Sequence, residues 1–180
     1  MNDFTEELDK LHYLSGAEFS RQVERIALRK EFHPLETDEN INSVGGEKND
    51  DYQNLLVAAR RAVEFGYTVY MLPNPRGTRT PDFIFEKKGI YRAYDLKTVF
   101  GKSSVRDSLL ASIGQCNRVL LNIQLDYNTR SLAFDIKNYF EVNDKAVEVL
   151  VFKGKRHFSI RRFTVMRSDY MPLFRKLYER

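Results

Sequence analysis

"TPDFIFEKKGIYRAYDLKT", residues 80–98, decides how the chain is read. "DFIFE" and "IYRAYDLKTV" are rich in β-branched and aromatic residues, and a tight turn at Lys87–Gly89 separates them, so the pattern predicts a two-stranded hairpin. A sheet core has no use for Asp82, Asp95 and Lys97. Side chains alternate along a strand. Tyr91, Ala93, Asp95 and Lys97 therefore share one face, and Arg92, Tyr94, Leu96 and Thr98 the other. Antiparallel pairing through a short turn sets the start of the first strand beside the end of the second. Asp82, Asp95 and Lys97, separated by 13 and 15 residues in sequence, are expected to converge at one edge of a sheet.

Working outward, "DYQNLLVAARRAVEFG" before the hairpin carries apolar residues at 52, 55, 56, 59 and 63, the spacing of an amphipathic helix. Asn49 or Asp50 is its expected cap and Gly66 its end. "YTVYMLP" (67–73) reads as a strand stopped by Pro73, and "NPRGTRTP" (74–81) as a loop. Beyond the hairpin, "SSVRDSLLASIGQCNR" reads as a helix capped by Ser103 or Ser104. "VLLNIQL" has the continuous apolar character of a buried strand. "NTRSLAFDIKNYFEV" is a helix with Leu132, Ile136 and Phe140 inward. "VEVLVFK" and "HFSIRRFTV" form a hairpin about Gly154, and "YMPLFRKLYER" is a last helix. The order α-β-β-β-α-β-α-β-β-α predicts an α/β fold, a mixed central sheet flanked by helices.

The N-terminal part differs in character. Residues 3–32 read as polar and helical, with Leu8, Leu11, Leu14, Val23 and Ile26 as apolar points. "HPLETDENINSVGGEKND" (33–50) reads as a linker by composition. The expected organisation is an acidic helical arm and linker over residues 1–48, then an α/β domain over 49–180.

Composition narrows the function classes. Of the 180 residues, none fall in a run of 18 apolar ones, so neither a transmembrane helix nor a membrane partner is expected. "MNDFTEELDK" lacks the apolar core of a secretory signal. The single cysteine, Cys116, excludes an internal disulfide framework and a cysteine-based zinc site. A reducing cytoplasm is the simplest compartment. Residues 1–65 hold 8 Lys/Arg and 14 Asp/Glu, whereas residues 66–180 hold 21 and 11. The latter stretch has the electrostatic character of a polyanion binder, with an ordinary solvated basic surface as the alternative.

Three polar groups converging on a sheet edge have a chemical use. Two carboxylates, Asp82 and Asp95, hold a divalent cation such as Mg²⁺, which polarises a phosphate and activates water. Lys97 offsets the charge that develops at phosphorus or on the leaving group. Without a metal, Lys97 and Arg106 stabilise the phosphate, with Asp95 or another group as base. Both mechanisms stay open. The competing structural reading is an ion pair of Asp95 with Lys97 or Arg92 at a strand end. Asp82, Arg106 and Gln115 tilt the balance towards chemistry, with Thr98 as a further phosphate contact.

"PDF…AYDLK" in such an element order resembles the PD-(D/E)xK signature of restriction-endonuclease-like enzymes. In that group the helix after the lysine often carries a glutamine, which Gln115 matches. An acidic residue often stands in the helix before the first strand, for which Asp51 and Glu64 are the available positions. Over roughly residues 50–152, "GYTVYMLPN…PDFIFE…YDLKT…SSVRDSLLASIGQCNRVLLNI" is similar to the C-terminal tRNA-nuclease domains of contact-dependent inhibition (CdiA-type) toxins and to related modules at the ends of phage head proteins. The resemblance implies a nuclease, RNA ahead of DNA as substrate, and an immunity protein as possible partner. It implies Asp82, Asp95, Lys97 and Gln115 as the catalytic set. It also leaves two folds open, restriction-endonuclease-like and the barnase–EndoU–colicin α+β group, which cuts RNA without metal. A metal-dependent DNase of a phage or mobile element, and a non-catalytic nucleic-acid-binding module, are the rival functions.

Remaining basic residues are candidates for backbone contact. Arg76 and Arg79 lie in the loop before Asp82. Lys153, Lys155, Arg156 and Arg161 lie in "KGKRHFSIRR", interleaved with Phe158, a pattern suited to phosphate contact and base stacking. An exposed hairpin of no special function has the same pattern. His12, His33 and His157 are too scattered for a histidine metal site.

Overall fold

The computed structural model describes residues 3–46, 48, 50–74, 79–101 and 105–179. It folds as two compact units, Met1–Asp95 and Leu96–Arg180, and the division falls within one strand. Both units are mixed α/β.

In the first unit, α1 (Asp3–Asp9), a 3₁₀ turn (Lys10–His12) and α2 (Gly16–Ala27) precede a strand pair, β1 (His33–Leu35) and β2 (Asp38–Ser43). Helix α3 (Tyr52–Glu64) then crosses over to β3 (Thr68–Met71), which pairs parallel to β2. β4 (Phe83–Lys87) and β5 (Ile90–Val99) continue antiparallel. α3 buries Leu56, Ala58, Ala59 and Ala62, one stripe of small and branched residues that lets it lie close to the sheet. Its end has the form the sequence predicts. Gly66 takes φ 92°, its N–H donates to the Val63 carbonyl, and the Tyr67 N–H donates to that of Ala62. The β4–β5 turn is also as predicted. Lys87 pairs with Ile90, and the two residues between, Lys88 and Gly89, both have positive φ, 53° and 78°. That is the two-residue turn whose twist matches the strands it joins.

In the second unit, α4 (Val105–Ala111) follows the end of β5. β6 (Arg118–Ile123) and β7 (Glu148–Lys153) are parallel and joined by α5 (Thr129–Val142). β8 (Arg156–Arg161) returns antiparallel to β7 and leads into α6 (Arg162–Val165) and α7 (Tyr170–Tyr178). One core unites Val119, Leu121 and Ile123 of β6, Val149 and Val151 of β7, Leu132, Ile136 and Phe140 of α5, and Phe174 of α7. "VLLNI" is a buried strand, as its unbroken apolar run requires: its residues from Val119 to Asn122 are fully buried.

Three expectations need correction. Residues 33–43, read within a linker, form β1 and β2. Asn, Asp and Glu disfavour strands by propensity, yet pairing of β2 with β3 overrides it, and Ile41, the one large apolar residue of β2, is fully buried against that pairing. The helices before it are no loose arm, since Phe4, Leu8, Val23 and Ile26 are buried within the first unit. Gln22 donates to both the Glu7 carbonyl (2.9 Å) and its carboxylate (2.7 Å), tying α2 to α1. Second, the residue before α3 is Asp51, not Asp50, and its side chain makes no capping hydrogen bond. Third, α4 stops at Ala111. The Ser112 hydroxyl donates to the Leu109 carbonyl at 2.6 Å and Gly114 takes φ 86°, so the chain turns before Gln115. The proposed caps Ser103, Ser104 and Asn49 lie outside the described residues.

Candidate functional site

Asp82 is pinned from two sides just before β4 begins. Its N–H donates to the Tyr94 carbonyl at 2.9 Å, and its carbonyl accepts from the Leu72 N–H at 2.9 Å. The first of these bonds ends on the peptide that links Tyr94 to Asp95. The hairpin pairing, Phe83 opposite Tyr94 and Ile84 opposite Ala93, thus carries Asp82 to the position beside Asp95. By alternation both belong to the face of Ile84 and Ala93. Asp95 is 2% exposed and Asp82 is half-buried. The same face holds Tyr70 and Tyr91, with ring centroids 6.2 Å apart. Burial foremost raises the phenol pKa of each.

Lys97 stands two residues beyond Asp95 on β5 and is half-buried, as is Thr98. Two carboxylates form a donor set that suits Mg²⁺, an ion commonly bound by one or two carboxylates with water and substrate phosphate completing its shell. Among the described residues no group of three or more His, Cys, Asp or Glu is placed to hold a metal.

The other candidates are scattered. Gln115 lies in the turn after α4, with its amide donating to the Ala111 carbonyl at 3.4 Å, so it is not the glutamine of a helix. Arg106 is exposed on α4 and donates to Asn138 of α5 at 2.8 Å. It also faces Asp135, whose carboxyl is nevertheless held above the usual range, chiefly by burial. Lys153 has structural work: it donates to the Tyr178 carbonyl at 2.9 Å and sits 3.6 Å from the centre of that ring. Lys155 is exposed at the β7–β8 turn, and Arg156 and Arg161 are half-buried on β8. Arg79 is exposed, and Arg76 lies outside the described residues.

Sequence reasoning missed the main charged cluster of the second unit. Glu148, 2% exposed, accepts from Arg118 through one carboxylate oxygen and from the Ser159 hydroxyl through the other. Parallel pairing sets Arg118, the first residue of β6, opposite Glu148, the first of β7. A base opening one strand and an acid opening the next was the available signal. Arg162 was also missed; its guanidinium donates to the carbonyls of Phe140 (2.8 Å), Asn143 (2.7 Å) and Ala146 (3.2 Å) and closes the end of α5.

No helix among the described residues is long and apolar enough to cross a membrane. No protein-family model matches the chain, and no curated protein matches it. Among solved structures it is similar to a chain of the "CdiA-CT/CdiI toxin and immunity complex from Burkholderia pseudomallei", with TM-score 0.46 and 14% identity, over 67% of this chain and 98% of that one.

Proposed function

We propose that the chain is a nuclease that cleaves phosphodiester bonds, with RNA of the tRNA class as substrate. The observation that carries this reading is the hydrogen bond from the Asp82 N–H to the Tyr94 carbonyl, which brings Asp82 beside Asp95. Two carboxylates carried to neighbouring positions on one face of a hairpin form a donor set that suits a divalent cation. The "PDF…YDLK" resemblance and the excess of base over acid beyond residue 65 support the same reading.

In this mechanism Asp82 and Asp95 would hold Mg²⁺ where the reaction uses it, and the ion would supply charge neutralisation at the phosphate and an activated water. Asp95, buried in the sheet, orients the attacking group. Lys97, the next residue along that face of β5, stabilises the charge that develops on the phosphate. Thr98, next to Lys97 on β5, and Arg79 are left as outer phosphate contacts, with Arg106, Lys155, Arg156 and Arg161 of the second unit as candidates for backbone binding apart from them. An immunity protein as partner follows from the toxin-type reading.

The test is incubation of the protein with tRNA and with plasmid DNA, each with Mg²⁺ or with EDTA. Loss of tRNA that EDTA abolishes is the expected result. RNA loss indifferent to EDTA overturns the metal-binding role of the two aspartates. Retained binding with no cleavage of either substrate favours a non-catalytic module.

A further inference from the structure

The turn end of the β4–β5 hairpin carries a second feature that the cleavage reading does not use. A cavity of about 230 Å³ opens there, within the first unit. Tyr67, Phe85 and Tyr94 line it together with Lys87, Lys88 and Arg92, and Ile90 stands at its edge. The rings pack in a row, each tilted on the next: Tyr67 to Phe85 is 5.3 Å between centroids at 31°, and Phe85 to Tyr94 is 5.1 Å at 36°. Phe85 and Tyr94 are 1% exposed and make the floor, whereas Tyr67 is half-buried and presents its ring at the wall.

Three cations and no carboxylate are among the lining residues. Lys87 is committed, donating to the Phe65 carbonyl at 2.8 Å and lying 4.8 Å from the centre of the Tyr67 ring. Arg92 is half-buried and makes no side-chain hydrogen bond or ion pair among the described residues. Lys88, also without such a partner among them, is exposed at the mouth. A guanidinium held on a strand beside an aromatic floor suits a ligand with an anionic group and a flat ring. Asp82 and Asp95 belong to the opposite face of the same hairpin by alternation, so this is not a subsite of their chemistry.

We infer that this cavity binds a nucleotide, with Arg92 and Lys88 on the phosphate and Tyr67 against the base. The nucleotide is either a free one or one residue of a single-stranded nucleic acid. The inference goes beyond the cleavage reading and stands without it, because binding needs neither aspartate.

Binding is read by NMR or calorimetry on the full chain carrying Asp95→Asn, with AMP, inorganic phosphate and a short oligoribonucleotide as separate probes. Saturable binding of AMP, tighter than that of phosphate, is expected for a free-nucleotide site. Saturable binding of the oligonucleotide alone assigns the site to a nucleic-acid strand. In either case Arg92→Ala is expected to weaken binding about tenfold, the loss of one charge-assisted hydrogen bond. Lys88→Ala, at an exposed position where folding is indifferent to it, should weaken it about two- to threefold. No saturable binding of AMP or oligonucleotide overturns the inference. So does affinity unchanged in both variants, or phosphate bound as tightly as AMP.

Discussion

Asp95 and Glu148 are both 2% exposed and both lie on strands, yet the register sets different neighbours beside them. Glu148 has each carboxylate oxygen held by a partner from a neighbouring strand, Arg118 and Ser159. It closes the end of the β6–β7–β8 sheet. Asp95 is set by the hairpin one peptide from the backbone of a second acid, Asp82. The first arrangement gathers opposite charges and stabilises the fold. The second brings the backbones of two acids side by side, and on that placement the proposed cleavage chemistry rests. Burial of a carboxylate alone therefore says little; what the register sets opposite it decides.

The comparison is most sharply exposed by activity. Lys97→Ala is expected to lower the rate of tRNA cleavage by about a hundredfold or more, the scale of removing one group that meets transition-state charge, with the circular dichroism spectrum and thermal midpoint close to wild type. Next comes stability. Glu148→Ala leaves the half-buried Arg118 without its partner and is expected to cost about 3–5 kcal/mol in urea unfolding, whereas Asp95→Asn costs far less. Equal losses in the two variants would break the comparison.

Acid separates a further structural carboxylate. The Glu7 pKa is lowered, chiefly because Lys10 and Gln22 donate to its charged form. A lowered folded pKa gives stability that is present above the unfolded value, 4.5, and is lost as pH falls through the folded one. The gap in thermal midpoint between wild type and Glu7→Gln should therefore be largest at neutral pH and shrink below about pH 4. The smallest effect concerns the turn that sets the register. Gly89 has φ 78° and open space where a Cβ would stand, so Gly89→Ala should cost only backbone strain, about 1–2 kcal/mol by thermal unfolding.

The hairpin was legible because its signals are local. The turn residues, the alternation and the two acids lie within 19 consecutive residues, and each rule acts at short range. The strands at 33–43 were not legible, because "HPL" and "DENINS" carry loop composition and become strands only through pairing with one another and with β3. Gln115 was misplaced because its helix ends on a serine–glycine turn that the apolar spacing runs straight through. The Arg118–Glu148 pair needed the parallel register of β6 on β7, which couples residues 30 apart; the sequence shows only its two ends, a base opening one strand and an acid opening the next.

The most direct test of the central claim is tRNA cleavage by Asp82→Asn beside wild type, at matched concentration and with folding checked by circular dichroism. If the two carboxylates work together, the folded variant loses cleavage by about a hundredfold or more. A folded Asp82→Asn that cuts tRNA at the wild-type rate would show that the convergence on Asp95 serves the sheet and not the chemistry.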